Sequence, residues 1–196
     1  MKIQVIRFNI YLLLVTLFLV GCASTSAEPQ KAKADSKLKK EKEPAKRNPK
    51  KEFATIRFHL ETNLDGTTKT KAVPIYRASP IRIGVEEMCF LDEGQVEQAT
   101  LVDWAGNYAI QLKFSRSGSF YLDTITTANK GRRLAIYSDF GQSKEIAQSR
   151  WLAAPMIERG NATGVFTFTP DASREEAEKI VNGLNNIAKL MKKRGM

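Results

Sequence analysis

Between residues 53 and 196 apolar and polar positions recur with two different periods, and the switch between them marks out the elements. In "ATIRFHLETN", Ile56, Phe58 and Leu60 alternate with Arg57, His59 and Glu61, the period of a half-buried strand. Asp65-Gly66 is a turn signal, and "AVPIYR" reads as the returning strand, with Pro74 marking an edge. "IRIGVEEMCFL" continues the strand pattern. Asp92 is placed to cap a short helix through "EGQVEQA", ahead of "TLVDW". "WAGNY" is a turn and "YAIQLKFS" alternates again, so a hairpin is predicted there.

The period then changes. In "SRSGSFYLDTITTANKG", Phe120, Leu122, Ile125 and Ala128 fall at helical spacing, with Ser117 or Ser119 as cap and Gly131 at the stop. "RRLAIYSDF" reads as a central strand whose arginines go one to solvent and one to an acid, and "GVFTFT" as a further strand. The last helix lies in "PDASREEAEKIVNGLNNIAKLMKKR". Ser173 and Glu176 form a capping box, and Ala177, Ile180, Val181, Leu184, Ile187, Ala188 and Met191 line one face. Lys192, Lys193 and Arg194 suit the negative end of the helix dipole. The pattern predicts an α+β domain, a mixed or antiparallel sheet with two main helices packed on one face.

Charge changes the picture at the other end of the chain. The formal net charge is +10, with a sequence pI near 9.6. Residues 23–52 hold ten of the 31 basic residues against five acids, and from residue 53 onward the balance is only +3. A nucleic-acid-binding class is therefore not expected. The stretch "EPQKAKADSKLKKEKEPAKRNPKKE" is too poor in apolar residues to offset its ordering entropy and reads as a disordered tether. A polybasic strip on anionic lipid head groups is the alternative reading of the same residues.

Before the tether, Lys2 and Arg7 precede an apolar run from Ile10 to Val20. That run is shorter than the about 20 residues of a membrane-spanning helix and has the order of a secretory signal. Leu19-Val20-Gly21-Cys22 resembles the bacterial lipobox. The resemblance implies cleavage after Gly21, lipidation of the Cys22 thiol, and anchoring in the membrane by acyl chains. Ala23, rather than an Asp, implies the outer membrane before the inner. Three segments follow: a signal peptide over 1–21, a lipidated tether over 22–52, and a domain over 53–196. With Cys22 acylated, Cys89 has no thiol partner in the chain and reads as a small buried hydrophobe.

Candidate chemistry is sparse. His59 is the single histidine and alternation puts it on the polar side of its strand. Neither a zinc-ligand spacing nor a Gly-x-Ser-x-Gly elbow accompanies it, and no phosphate-binding glycine loop occurs. No catalytic residue, metal or cofactor is assigned, and the chain is not expected to be an enzyme. Arg150-Trp151, in the polar connection "GQSKEIAQSRWLAAPM", has the composition of an interface hot spot and is the candidate partner-binding pair. The competing reading of Trp151 is a core plug.

Residues 91–187 resemble the head subdomain of the periplasmic part of SecD, a subunit of the bacterial protein-export machinery. The resemblance is carried by Gly118, then "TANKGRRLAI", then Ala154, Pro155 and Ile157, then Phe168-Thr169 and Glu175-Glu176-Ala177. It implies an α+β head that contacts polypeptide, by strand addition at a sheet edge beside an apolar groove. SecD's membrane helices have no counterpart after the signal, so its motor function is not implied. The expected role is a lipid-anchored, periplasm-facing envelope protein that binds polypeptide or an envelope protein partner, linked to export. A structural envelope lipoprotein packed on a larger assembly, and a cell-wall hydrolase, are the alternatives.

Overall fold

The computed structural model describes residues 48–142 and 147–194; the signal, Gly21, Cys22 and most of the tether lie outside them. The strands are β1 (Phe53–Ala54), β2 (Arg57–Leu60), β3 (Thr70–Ile75), β4 (Ile81–Glu86), β5 (Leu91–Asp92), β6 (Val96–Trp104), β7 (Asn107–Phe114), β8 (Leu134–Gly141), β9 (Gln148–Ala153) and β10 (Val165–Phe168). The helices are α1 (Arg116–Ala128) and α2 (Arg174–Arg194). All strand pairs among the described residues are antiparallel. One sheet has the order β1-β8-β2-β5 with β9 on β8, a second β10-β7-β6, and β3-β4 is a separate ribbon. This is the α+β class that the pattern predicts, with both helices contributing to the main core.

Phe58 sits at the centre of that core. Its ring meets Phe90, Phe114 and Phe166 edge-on, with centroids 6.3, 5.7 and 5.6 Å away. The β6–β7 hairpin turns at Ala105-Gly106, both at positive φ (48° and 77°), the two-residue geometry whose twist matches the flanking strands. On α2 the predicted stripe is buried from Ala177 to Leu184, whereas Ile187, Ala188 and Met191 are only half-buried because the helix outruns the sheet. Gly183 faces β1 so closely that a Cβ there would stand 2.3 Å from the Phe53 carbonyl carbon and 2.4 Å from Ala54 N. The Asn185 side chain finishes the free edge of β6: its Oδ1 accepts from Ala99 N (2.9 Å) and its Nδ2 donates to Ala99 O (2.8 Å).

Several expectations are corrected. The helix through "EGQVEQA" is a single 3-10 turn, Glu93–Gln95, capped by Asp92; the apolar alternation from Val96 onward wins and extends β6. Ser115, not Ser117 or Ser119, caps α1 by accepting from Gly118 N at 3.2 Å. The buried face of α1 is Gly118, Leu122 and Thr126, which leaves Phe120 69% exposed and Ala128 exposed. The connection after β8 contains β9, so Arg150 and Trp151 stand on a strand. Pro49–Glu52, counted with the tether in the sequence, lie against α2, where Asn186 Nδ2 donates to the carbonyls of Pro49 and Glu52, each at 2.9 Å. Asn182 Nδ2 donates to Glu52 Oε2 at the same distance.

His59 is buried, not on a polar face. The β3–β4 ribbon folds over that side of the sheet and brings Val73, Ile75 and Val85 onto Ala135 and Ala154 as a second small core. Cys89 is half-buried rather than enclosed. Neither Arg132 nor Arg133 is exposed, so the expected solvent-side arginine is not found, while the expected acid pair is. Arg132 Nη2 stands 3.9 Å from Glu86 Oε1, and the side chain also donates to Asn129 Oδ1 (2.6 Å) and to the Glu61 carbonyl. Arg133 Nη1 donates to the Ala154 carbonyl (3.1 Å).

Candidate functional site

β10 is the outer strand of its sheet, paired on one side only with β7. Phe114 N donates to Gly164 O at 2.9 Å. Antiparallel alternation then directs the N–H and C=O of Phe166 and Phe168 toward β7, and those of Val165 and Thr167 away from it. The outward carbonyl of Val165 is occupied, accepting from Asn161 Nδ2 at 2.8 Å. Thr167 stands next along that outer edge, and its side chain is turned back to Gln111, whose Nε2 donates to Thr167 Oγ1 at 3.4 Å.

Two hollows adjoin this strand. One of about 570 Å³ is lined by Val165 and Phe166 with Leu134, Pro155 and Met156. The other, of about 320 Å³, is lined by Thr167 and Phe168 with Tyr76, Trp104, Ala153 and Pro155. They share Pro155, so successive residues of β10 face a pair of adjoining hollows, together termed the channel, across from the chain leaving β9. Pro155 brings no N–H to that wall. Met156 and Trp104 are 53% and 60% exposed, large apolar groups standing at the two hollows. The edge thus offers main-chain hydrogen-bonding groups beside apolar surface, which is what an added strand requires.

Thr126 holds one end of the channel. Its hydroxyl donates to the Leu122 carbonyl (2.7 Å) and accepts from Asn161 N (2.9 Å), so a β-branched residue inside α1 ties the 159–163 loop to the helix. The sequence signal for this was the run of threonines in α1, which reads there only as weak helix propensity.

The sequence-derived pair Arg150 and Trp151 is divided by the strand's own alternation. Arg150 turns to α2: its Nη1 and Nη2 reach Glu176 Oε2 and Oε1 at 2.9 and 3.0 Å, and Nη1 also reaches the Asp171 carbonyl at 3.1 Å. That pairing raises the Arg150 pKa and pulls the Glu176 carboxyl down to about 2. Trp151 faces the other side, its ring 5.2 Å from both His59 and Tyr137, with Lys71 Nζ 5.8 Å from its centroid. It lines a separate hollow of about 610 Å³ with Arg57, Cys89 and the 83% exposed Met88.

His59 Nδ1 donates to the Glu86 carbonyl at 2.8 Å, and burial lowers its pKa. Among the described residues no three His, Cys, Asp or Glu side chains converge as a metal site. Among the same residues no helix is long and apolar enough to cross a membrane.

No protein-family model and no curated protein matches this chain. Solved structures similar to it include three of SecDF. A membrane component SecDF that enhances protein export is 19% identical with a TM-score of 0.48, over 69% of this chain and 64% of that one. SecDF in a super-membrane-facing form is 18% identical with a TM-score of 0.48, over 68% and 19%. SecDF of Thermus thermophilus, a translocon-associated membrane protein, is 15% identical with a TM-score of 0.37, over 70% and 29%. This chain spans less than two-thirds of each of these structures.

Proposed function

We propose that the chain is a lipid-anchored envelope protein, facing the periplasm, whose domain binds extended polypeptide without catalysis. The observation that carries this reading is the outward edge of β10 beside the channel shared by Pro155. A segment of unfolded chain pairs with Thr167 as a further antiparallel or parallel strand and lays alternate side chains into the two hollows. Phe166, Met156 and Trp104 supply apolar contact, so the site is tolerant of sequence. This suits a protein linked to export, where the chains to be bound share a backbone and little else. Acylation of Cys22, after cleavage behind Gly21, would hold the domain at the membrane.

Arg150 is not part of this binding edge in the proposal, because its guanidinium is committed to Glu176. Trp151 is a second contact, reached by a bound partner across the sheet face rather than along β10.

Thr167→Pro tests the edge. It deletes an N–H that makes no bond to β7, and proline is tolerated on an edge strand, so the fold is retained. Binding of a reduced, unfolded exported protein, read by a photocrosslinker at Met156, should fall several-fold to about tenfold, the loss of one main-chain hydrogen bond. Thr167→Val keeps the N–H and should bind as the parent does. Equal crosslinking by Thr167→Pro and the parent would refute strand addition. Capture of one constant envelope protein in place of many exported chains would favour the structural lipoprotein instead. Labelled palmitate that persists in Cys22→Ser would refute the anchor.

A further inference from the structure

The C-terminal third of α2 is built differently from the rest of the helix. After Glu178 it carries no carboxylate, and from Lys189 to Arg194 four of six residues are cationic. Lys189, Lys192, Lys193 and Arg194 are exposed, and Leu190 among them is 54% exposed. Helical spacing puts Lys189, Leu190 and Lys193 in line with Asn186, three, four and seven residues on. Asn186 is the residue that donates to Pro49 O and Glu52 O, so the same side of the helix also carries the exposed Lys50 and Lys51. Arg194, four residues beyond Leu190, joins them, whereas Lys192 faces away, so two segments far apart in sequence assemble one surface of five cations around an apolar side chain. The chain passes from this surface into the residues that precede Asn48.

The geometry points to this surface as a docking face for an anionic lipid bilayer, with Leu190 entering the interface and the five cations meeting the head groups. Charge complementarity selects an anionic occupant, and the exposed leucine at its centre selects a lipid over a nucleic acid, which offers no apolar layer to it. Docking here does not require strand addition at β10.

The test uses the chain from residue 22 onward carrying Cys22→Ser, so that no lipid is attached and the tether is kept in every variant. Its binding to vesicles of phosphatidylglycerol mixed with phosphatidylcholine is compared with vesicles of phosphatidylcholine alone, by sedimentation. The triple change K189Q/K193Q/R194Q should weaken binding to the anionic vesicles by about a hundredfold at low salt, at the usual worth of a cation near such a surface. L190S should weaken it several-fold with charge unchanged. K31Q/K33Q/K37Q, which removes the same charge from the tether, should weaken it less than the helix triple. Far-UV circular dichroism confirms that each variant is folded. Equal losses from the helix and tether triples, or parent-like binding by L190S, would overturn the docking face. So would a DNA duplex that binds the parent and L190S alike and as tightly as the vesicles do. Because the protein in this assay is not acylated, its outcome is independent of whether Cys22 carries lipid.

Discussion

The guanidinium of Arg150, on β9, holds both carboxylate oxygens of Glu176, in the first turn of α2, at 2.9 and 3.0 Å. The same carboxylate accepts from Ser173 N at 2.8 Å, and Ser173 Oγ accepts from Glu176 N at 3.2 Å. One side chain therefore closes the capping box and pins the helix start to the sheet. Glu176→Gln should cost about 2 kcal/mol, the worth of charge-assisted bonds at a partly buried site. The check is a lower urea midpoint with an unchanged slope. The Glu176 carboxyl lies at about 2, against an ordinary 4.5, so the unfolded chain takes up the proton first. Its contribution is whole above 4.5 and is lost as pH falls through about 2. The variant should lose less stability across that window than the parent.

Gly183→Ala is expected to destabilise by about 1–3 kcal/mol, since the added methyl meets backbone atoms of β1 that no rotamer can move. Thermal unfolding measures it. An unchanged melting temperature would mean that α2 shifts from β1 without cost.

Asn185→Leu keeps the side-chain volume and removes both bonds to Ala99, leaving its N–H and C=O on a half-covered strand edge. The cost should be about 1–3 kcal/mol. Amide exchange at Ala99 should accelerate more than exchange at its β7 partner Leu112, which is buried in the core.

Burial of His59 lowers its pKa below the ordinary 6.5, so the unfolded chain binds the proton more tightly. This contribution to stability is fully present above 6.5 and declines as pH falls through that value toward the folded pKa. His59→Gln should flatten the change in melting temperature between neutral pH and about pH 5, the range over which an ordinary histidine titrates. The same slope in variant and parent would assign the effect to other groups.

Much of the fold was legible because local period and local chemistry agreed. Ala105-Gly106, Asp92 and the Ser173–Glu176 box each stand where the pattern places them. Several of the failures share one cause: they depend on what lies across from a residue in space. His59 reads as polar-facing until the β3–β4 ribbon covers it, and Phe120 reads as core although it stands exposed beside the ring of Tyr121. Arg150 and Trp151 read as one anchor because alternation is invisible until β9 is recognised as a strand. The β10 edge had the same obstacle. "GVFTFT" signals a strand, but only pairing shows that it is outermost.

The bonds from Asn182 and Asn186 to the segment ahead of β1 have a mechanical meaning. Tension applied to the chain before Asn48 meets these three side-chain bonds first, ahead of the pairing of β1 with β8. They form a clasp distinct from the strand pairing of the core. Releasing Pro49 to Glu52 would lengthen the leash by about 14 Å, at roughly 3.5 Å per residue, with the hydrophobic core still shut.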